Sequence, residues 1–538
     1  MENSSKPSLF THVSIRLPTR LSARPSARLL AVAIPVAAML AVGLWGLDRG
    51  GMWRDEAVTF QVARRSVPQI WRLVQSVDAV HGLYYLLVRP VLALHPGEVV
   101  LRLPSVCAAA ATAGLVAALG VRLARPRVGL WAGLLYAATP LAGHYAQEAR
   151  SYALVAAGAA GATLLLARGM ERGAAGPWRR AWAAYGAVVA VTCLLHMFAA
   201  LLLLAHAVTL ALARVPGRVW RGWGVAAGAA LLVLAPLALL AQGQAAQVGW
   251  LTAPRWGNAE RLLRQFAGSS GPVLWAYLAL VAVALTGIRR SPLVRVALPL
   301  AVVAPTVLMG VSQVRPMYDD RYVLYALAGA PLLAAAGADR VVRALCRPSS
   351  RGSCPAVALA GVLAVTLVFA HQLPLHRQHR TLAQRADDLA AVSALASRSL
   401  RPGDPVLFLP SIGRRAALAY PKGFRRAWDM ALAVPGPQSG TLYGRELTAP
   451  ELRRRLAGVD RVWVVAESYA LGARWRPRDP VERAKLAVVG EEFVPRTREV
   501  CGGVTFRLYV RRNAGAETPP SVPPPPWPPS PPPRPAPR

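Results

Sequence analysis

Met52-Trp53-Arg54-Asp55-Glu56-Ala57 sets two adjacent carboxylates just past the apolar run 29–47, which is long enough to cross a bilayer. Most other long segments of the chain are rich in Leu, Ala and Val and free of charge. Carboxylates are costly near hydrocarbon, so an acidic pair at the exit of a first transmembrane helix points to chemistry at the membrane surface.

The surrounding composition agrees. Of 538 residues, 54% are hydrophobic and 16% charged, against about 25% charged in soluble domains. Spread over this length, that balance describes a polytopic membrane protein. The net charge of +36 resembles that of a nucleic-acid binder, but the cations are nearly all Arg, with Lys only at Lys6, Lys422 and Lys485. They recur between apolar spans, where cytoplasmic loops carry positive charge, rather than on one soluble face, so nucleic acid is not an expected partner. Cys107, Cys193, Cys346, Cys354 and Cys501 form no Cys-x-x-Cys pair, which argues against a zinc site or a disulfide framework.

Charge parity orders the spans. Lys6, Arg16, Arg20, Arg24 and Arg28 hold a tail, 1–28, in the cytoplasm, and Asp48-Arg49-Gly50-Gly51 is a poor cleavage site, so 29–47 stays as an anchor. The acid pair then emerges outside, at the head of an external loop, 48–100. Segment 83–95 is cut by Arg89-Pro90 and falls short of the roughly 17–25 residues a span needs; it reads as an interfacial helix. Segments 101–121, 128–143, 151–167, 223–241, 271–288, 296–312, 322–338 and 355–372 read as crossings. The long run 182–213 reads as two more that turn near His196-Met197, with 242–270 an external loop. With about eleven crossings, every dense Arg loop is cytoplasmic. The expected fold is an all-α membrane domain, 29–372, followed by a small extracytoplasmic α/β domain, 373–512. In the latter, 380–399 and 449–457 have helical spacing, while Val406–Leu409, Val462–Val465 and Val504–Val510 read as strands. Residues 513–538 are Pro-rich and read as a disordered tail.

This topology brings three polar constellations to one side: Asp55-Glu56 with Asp78 and His81, then Glu148 to Tyr152, then Asp319-Asp320-Arg321-Tyr322. Carboxylates converging with arginines suit a reaction between a hydroxyl and a phosphate-linked group. A carboxylate takes the hydroxyl proton, and guanidinium groups neutralise the departing phosphate.

Several motifs fall in order: Trp53-Arg54-Asp55-Glu56-Ala57, Asp78-Ala79-Val80-His81-Gly82-Leu83-Tyr84-Tyr85, Arg102-Leu103-Pro104-Ser105, Tyr145-Ala146-Gln147-Glu148-Ala149-Arg150-Ser151-Tyr152-Ala153-Leu154 and Asp320-Arg321-Tyr322. Together, over residues 50–325, they resemble the protein O-mannosyltransferase/aminoarabinose-transferase family, glycosyltransferase family 39 of the GT-C superfamily, and within it actinobacterial mannosyltransferases. The resemblance implies a polyprenyl-phosphate sugar donor, inversion at the anomeric carbon and a glycan or protein acceptor outside the cytoplasmic membrane. It implies Asp55 as general base, with Glu56 orienting it or holding the acceptor, and Arg150, Arg321 and Tyr322 at the donor phosphate. Asp78, His81, Tyr84, Glu148 and Asp320 are further candidates for donor or acceptor contacts. Relatives usually read His-Pro-Pro-Leu-Tyr-Tyr where this chain has Val80-His81-Gly82-Leu83-Tyr84-Tyr85, which leaves the role of His81 open.

No cofactor is expected, although Asp55, Glu56, Asp78 and His81 are the set that could hold a divalent cation loosely. His144, His196 and His206 read as packing or interfacial residues, having no second ligand at i+4. The plainer reading of the acid pair is a helix cap paired with Arg54. The rival from another class is a transporter or flippase for a lipid-linked substrate, which would place charges or helix breaks near the bilayer midplane. Pro140, Pro236, Pro299 and Pro305 keep that rival in play.

Overall fold

The computed structural model describes residues 25–172, 178–345, 353–381, 387–472 and 474–512. Most of the expected cytoplasmic tail, the Pro-rich 513–538 and Cys346 lie outside the described residues.

The first apolar run forms α1 (Pro25–Leu44). The acid pair opens α2 (Arg54–Ala63), and a Ser66–Gln69 capping box starts α3 (Val67–Val74). The segment expected at the interface is α4 (Gly82–Leu94), at 13 residues too short to cross. Next come α5 (Glu98–Leu123), α6 (Pro126–Ala138), α7 (Pro140–Ala146) and α8 (Tyr152–Arg172). The run 182–213 breaks at His196, whose backbone is extended, into α9 (Trp178–Leu195) and α10 (Leu201–Ala213). After α11 (Gly217–Gly243), the stretch expected as a loop holds α12 (Trp256–Ala267), bent 83° from α13 (Gly271–Leu285). Helix α14 (Pro292–Val311), a 3-10 segment Asp320–Ala328 leading into α15 (Gly329–Leu345), and α16 (Ser353–Gln378) complete the helical part.

Among the described residues, seven helices are long and apolar enough to cross a membrane, or eight with the bent α12–α13 pair taken as one. The sequence led us to expect about eleven. The other expected spans are helical too, but fall short for local reasons. Pro140 divides 126–146 into pieces of 13 and 7 residues; α10 has 13; and α9, at 18, carries Arg179 and Arg180.

Helix α5 is the hub, with α1, α6 and α8 packed along it. Gly129 lies so close to the Ala117 carbonyl that a Cβ there would collide with it, the close approach that small residues permit between membrane helices. At the C-terminal end of α5, Asp339 draws in Arg125, Arg127 and Arg343, and Arg122 pairs with Glu171. The Arg-bearing C-terminal end of α5 thus meets α8 and α15, and the acid pair lies at the other end of α5, beside Arg102 in its second turn.

The C-terminal part begins with α17 (Leu389–Ser399); of the helix expected over 380–399, residues 382–386 lie outside the described residues. It continues through β1 (Pro405–Leu409), α18 (Arg415–Ala419), β2 (Trp428–Asp429), β3 (Leu432–Val434), α19 (Gly436–Ser439), β4 (Arg445–Glu446), α20 (Ala449–Ala457), β5 (Arg461–Glu467), α21 (Pro480–Glu492), β6 (Phe493–Cys501) and β7 (Val504–Arg511). The main sheet runs β2-β1-β5-β7-β6, parallel through β2, β1 and β5 and antiparallel at β7 and β6. Strand alternation gives it two faces. Leu407, Leu409, Val462 and Val464 pack with Leu452 and Leu456 of α20 and Val488 of α21, while Val406, Phe408, Trp463 and Val465 face Leu389 and Val392 of α17. That second face is continuous with the core of the helical bundle.

Candidate active site

The two carboxylates in the first turn of α2 face the positive end of its dipole, which favours them. One helical position apart, they point to different neighbours. Glu56 is 1% exposed and makes a bidentate pair with Arg102, itself fully buried: Oε1 accepts from Nε at 2.9 Å and Oε2 from Nη2 at 2.8 Å. Arg102 also donates to the carbonyl oxygens of Leu47, Gly50 and Gly51, and the Ala149 amide donates to Glu56. Glu56 therefore ties the loop after α1 to α5 and to the Glu148–Arg150 turn. It was expected to orient Asp55 or hold an acceptor; its oxygens are instead taken up by this clamp.

Asp55 faces outward from the clamp. Its Oδ2 accepts from Arg321 Nη1 at 3.2 Å, across 266 residues of sequence, and the two side chains are 27% and 16% exposed. Arg321 also faces Asp319 Oδ1 at 3.3 Å, and its guanidinium lies 5.8–5.9 Å from the ring centres of Tyr152, Trp250 and Tyr322.

Arg150 is buried beside this pair. Its Nη2 donates to His81 Nε2 at 2.5 Å, and among the described residues its Nε has no partner, nor do His81 Nδ1, Glu148 Oε1 and the Ser151 hydroxyl. The Glu148–Arg150 turn is held from behind, since Ser105 Oγ donates to the Glu148 carbonyl at 2.7 Å and Thr59 Oγ1 to that of Ala149 at 3.1 Å. Burial pushes the Glu148 carboxyl up to about 8, a rise that Asp55 and Glu56 reinforce and Arg321 and Arg150 oppose. Near neutral pH it is a hydrogen-bond donor rather than an anion.

The remaining candidates divide. Tyr84 is wholly buried among the loop helices. Asp78, with φ of 61°, accepts from the Tyr85 hydroxyl, and its turn is tied to the 244–247 stretch through Ala79 N–H to Gln244 Oε1 at 3.0 Å. Asp320 is committed to Arg261, at 2.7 Å and 3.1 Å, and to the Tyr318 hydroxyl, so it braces the loop rather than lining the open space. Tyr322 packs edge-on to His196 at 4.9 Å. Next to these groups opens a cavity of 460 Å³ whose lining includes His81, His196, Phe198, Gln247, Arg315 and Tyr322. His196, read from sequence as a packing residue, is thus also part of the cavity wall. His206 is buried between Thr163 and Tyr185 in the bundle.

Several participants carry no role in the sequence reading. Arg102 had a legible signal, a cation inside an apolar 26-residue helix that must find a counter-charge. Asp387 had none: it accepts from the Arg54 backbone N–H and, bidentately, from its guanidinium, at 3.2, 2.8 and 2.9 Å across 333 residues. Tyr420 adds a second tie, its hydroxyl accepting from the Met52 N–H at 2.6 Å. Among the described residues, no group of three or more His, Cys, Asp and Glu side chains is arranged to hold a metal ion. Of the set that could hold a cation, Glu56 is bound to Arg102 and His81 to Arg150.

No family model and no curated protein sequence matches the chain. Among solved structures, it is similar to ArnT from Cupriavidus metallidurans in the apo state, with TM-score 0.56, 14% identity, and 89% of this chain and 97% of that one covered. The same protein bound to undecaprenyl phosphate gives a TM-score of 0.55 at 14% identity and the same coverage, 89% and 97%. The archaeal oligosaccharyltransferase AglB from Archaeoglobus fulgidus, in complex with an inhibitory peptide and a dolichol-phosphate, gives 0.50 at 11% identity, covering 91% of this chain and 75% of that one. These are GT-C glycosyltransferases, and at such identities the likeness is one of fold: the chain has a GT-C-like helical domain with a small C-terminal sheet domain.

Proposed function

We propose that this chain is a multi-pass glycosyltransferase of the cytoplasmic membrane, of the family 39 type, that moves a sugar from a polyprenyl-phosphate donor to an extracytoplasmic glycan or protein acceptor. The motif resemblance makes mannose the sugar of choice. The observation that carries the reading is the Asp55–Arg321 pair at 3.2 Å, with Arg150 buried alongside, assembled from three segments distant in the sequence. The fold likeness to proteins solved with undecaprenyl phosphate and dolichol-phosphate supports a lipid-phosphate donor.

In this reading the donor phosphate enters the cavity beside His81 and Tyr322 and draws Arg321 toward itself, since a phosphate takes a guanidinium bidentately. Asp55 loses its counter-charge and becomes a better base. It accepts the proton of the acceptor hydroxyl as that oxygen attacks the anomeric carbon from the face opposite the phosphate. The bond from that carbon to the phosphate oxygen breaks, the configuration inverts, and the polyprenyl phosphate leaves with its negative charge against Arg150 and Arg321. Glu148, protonated at neutral pH, donates a hydrogen bond to a donor sugar hydroxyl without adding a repelling charge. Asp78, Tyr84 and Asp320 hold the walls.

The test is Asp55→Asn in membranes supplied with a polyprenyl-phosphate sugar. Transfer falls by about 10²–10⁴-fold while donor binding and protein level stay near wild type. Undiminished transfer by that variant removes the base and with it this mechanism.

A further inference from the structure

A second concavity lies on another side of α2. It has a volume of 700 Å³ and forms where α2 meets α17 and the turn after α18. Four cations from three separate segments line it: Arg64 at the end of α2, Arg398 on α17, and Lys422 and Arg425 on the turn. All four are exposed, and among the described residues no carboxylate lines the space and Arg398, Lys422 and Arg425 form no ion pair. At several other places where elements meet, arginines are matched by acids, as at Arg102, Arg261, Arg414 and Arg415, or by backbone carbonyls, as at Arg65 and Arg380. A concave site lined by one sign of charge concentrates counter-ions, and an anion placed there relieves the repulsion among the cations.

The groove is connected to the candidate centre. Phe60 forms its floor, with Arg64 stacked 5.0 Å from the ring centre. Phe60 lies five residues past Asp55 on the same helix, about 7.5 Å along its axis. Tyr420, in the wall, is the residue whose hydroxyl holds the Met52 N–H and also bonds Glu98. An occupant therefore touches the segment that sets the position of the acid pair.

We propose that this groove binds an anionic part of the acceptor, a phosphate- or carboxylate-bearing carbohydrate whose neutral hydroxyl reaches Asp55 past the end of α2. Calling the occupant a carbohydrate acceptor rests on the transferase reading; the binding of an anion rests on the four cations alone.

The probe is a phosphorylated trisaccharide with its dephosphorylated counterpart as control, titrated onto the full-length protein in nanodiscs of zwitterionic lipid without donor. The wild type binds the phosphorylated form roughly tenfold more tightly, as expected for a few exposed charge contacts. The Lys422→Glu/Arg425→Glu variant loses that preference, and Lys422→Gln/Arg425→Gln, which removes charge without reversing it, weakens it. Both keep wild-type donor binding, which shows that they are folded. Equal affinity for the two sugars, or an unchanged preference in the folded variants, overturns the site. A preference abolished when the nanodiscs contain phosphatidylglycerol assigns the groove to lipid headgroups and overturns the carbohydrate occupant. With native membranes as the acceptor source, the variants raise the acceptor concentration needed for half-maximal transfer and leave the maximal rate unchanged. A fall in maximal rate alone overturns acceptor recognition, and absence of transfer by the wild type counts against the transferase reading rather than the groove.

Discussion

The Glu56–Arg102 and Asp55–Arg321 pairs start from neighbouring residues and end in opposite environments. The first is dry, bidentate and surrounded by backbone acceptors, so neither partner has spare capacity. The second is single-contact, partly open, and bordered by polar atoms without partners on Arg150, His81 and Glu148. A buried pair fixes geometry at a desolvation cost and gains nothing from a ligand, whereas an open pair can exchange its partner. Adjacent acids in sequence have thus been divided between holding a loop and lining a partly open site.

Mutation can break this contrast at several strengths. Arg102→Ala should have the largest effect on folding, about 3–5 kcal/mol, because it takes the counter-charge from a buried Glu56; thermal unfolding in detergent measures it. Asp55→Asn should change stability by less than about 1 kcal/mol, as expected for a partly exposed pair. Equal destabilisation by both would erase the distinction. Arg321→Ala should lower transfer by roughly 10²–10³-fold, typical of losing one preorganised charge at the leaving group, with stability little changed; initial rates with saturating donor report it.

Asp387→Ala should cost about 1 kcal/mol, since Arg54 is half exposed, yet it should speed hydrogen exchange across residues 52–56. A matched rate there would deny the Asp387 tie any hold on the loop, leaving that of Tyr420. The mildest effect is in the pH profile. Glu148 is protonated below about 8 and ionised above, where its new charge repels a bound phosphate, so wild-type transfer should decline as pH rises through that value. Glu148→Gln should lack the inflection. The same raised value means that the fold takes up a proton relative to the unfolded chain, so stability falls as pH climbs from the ordinary carboxylate range toward about 8.

Much of this was readable from the chain because membrane folds write their elements as long apolar runs. The long apolar helices, the break at His196 and the strands β1, β5 and β7 follow from periodicity and composition, whereas α12 falls where a loop is expected. The span count did not, because a proline at 140 and arginines at the start of α9 shorten helices in ways that hydropathy averages conceal. At the site, the local motifs named Asp55, Arg150 and Arg321, which do converge. The division of labour between Asp55 and Glu56 was invisible, since it depends on which way two adjacent side chains leave one helix. Asp387 and Tyr420 were equally hidden, because nothing near residue 54 in sequence signals a partner more than 300 positions away.

The clasp between Arg54 and Asp387 bears on when the protein becomes active. Residue 54 leaves the ribosome early and residue 387 only after the helices between them have been made. A nascent or truncated chain can therefore complete its helical scaffold while the segment carrying the candidate base still lacks its restraint. Competence for chemistry would then arrive with the final quarter of translation, once the last domain has folded back onto the first loop.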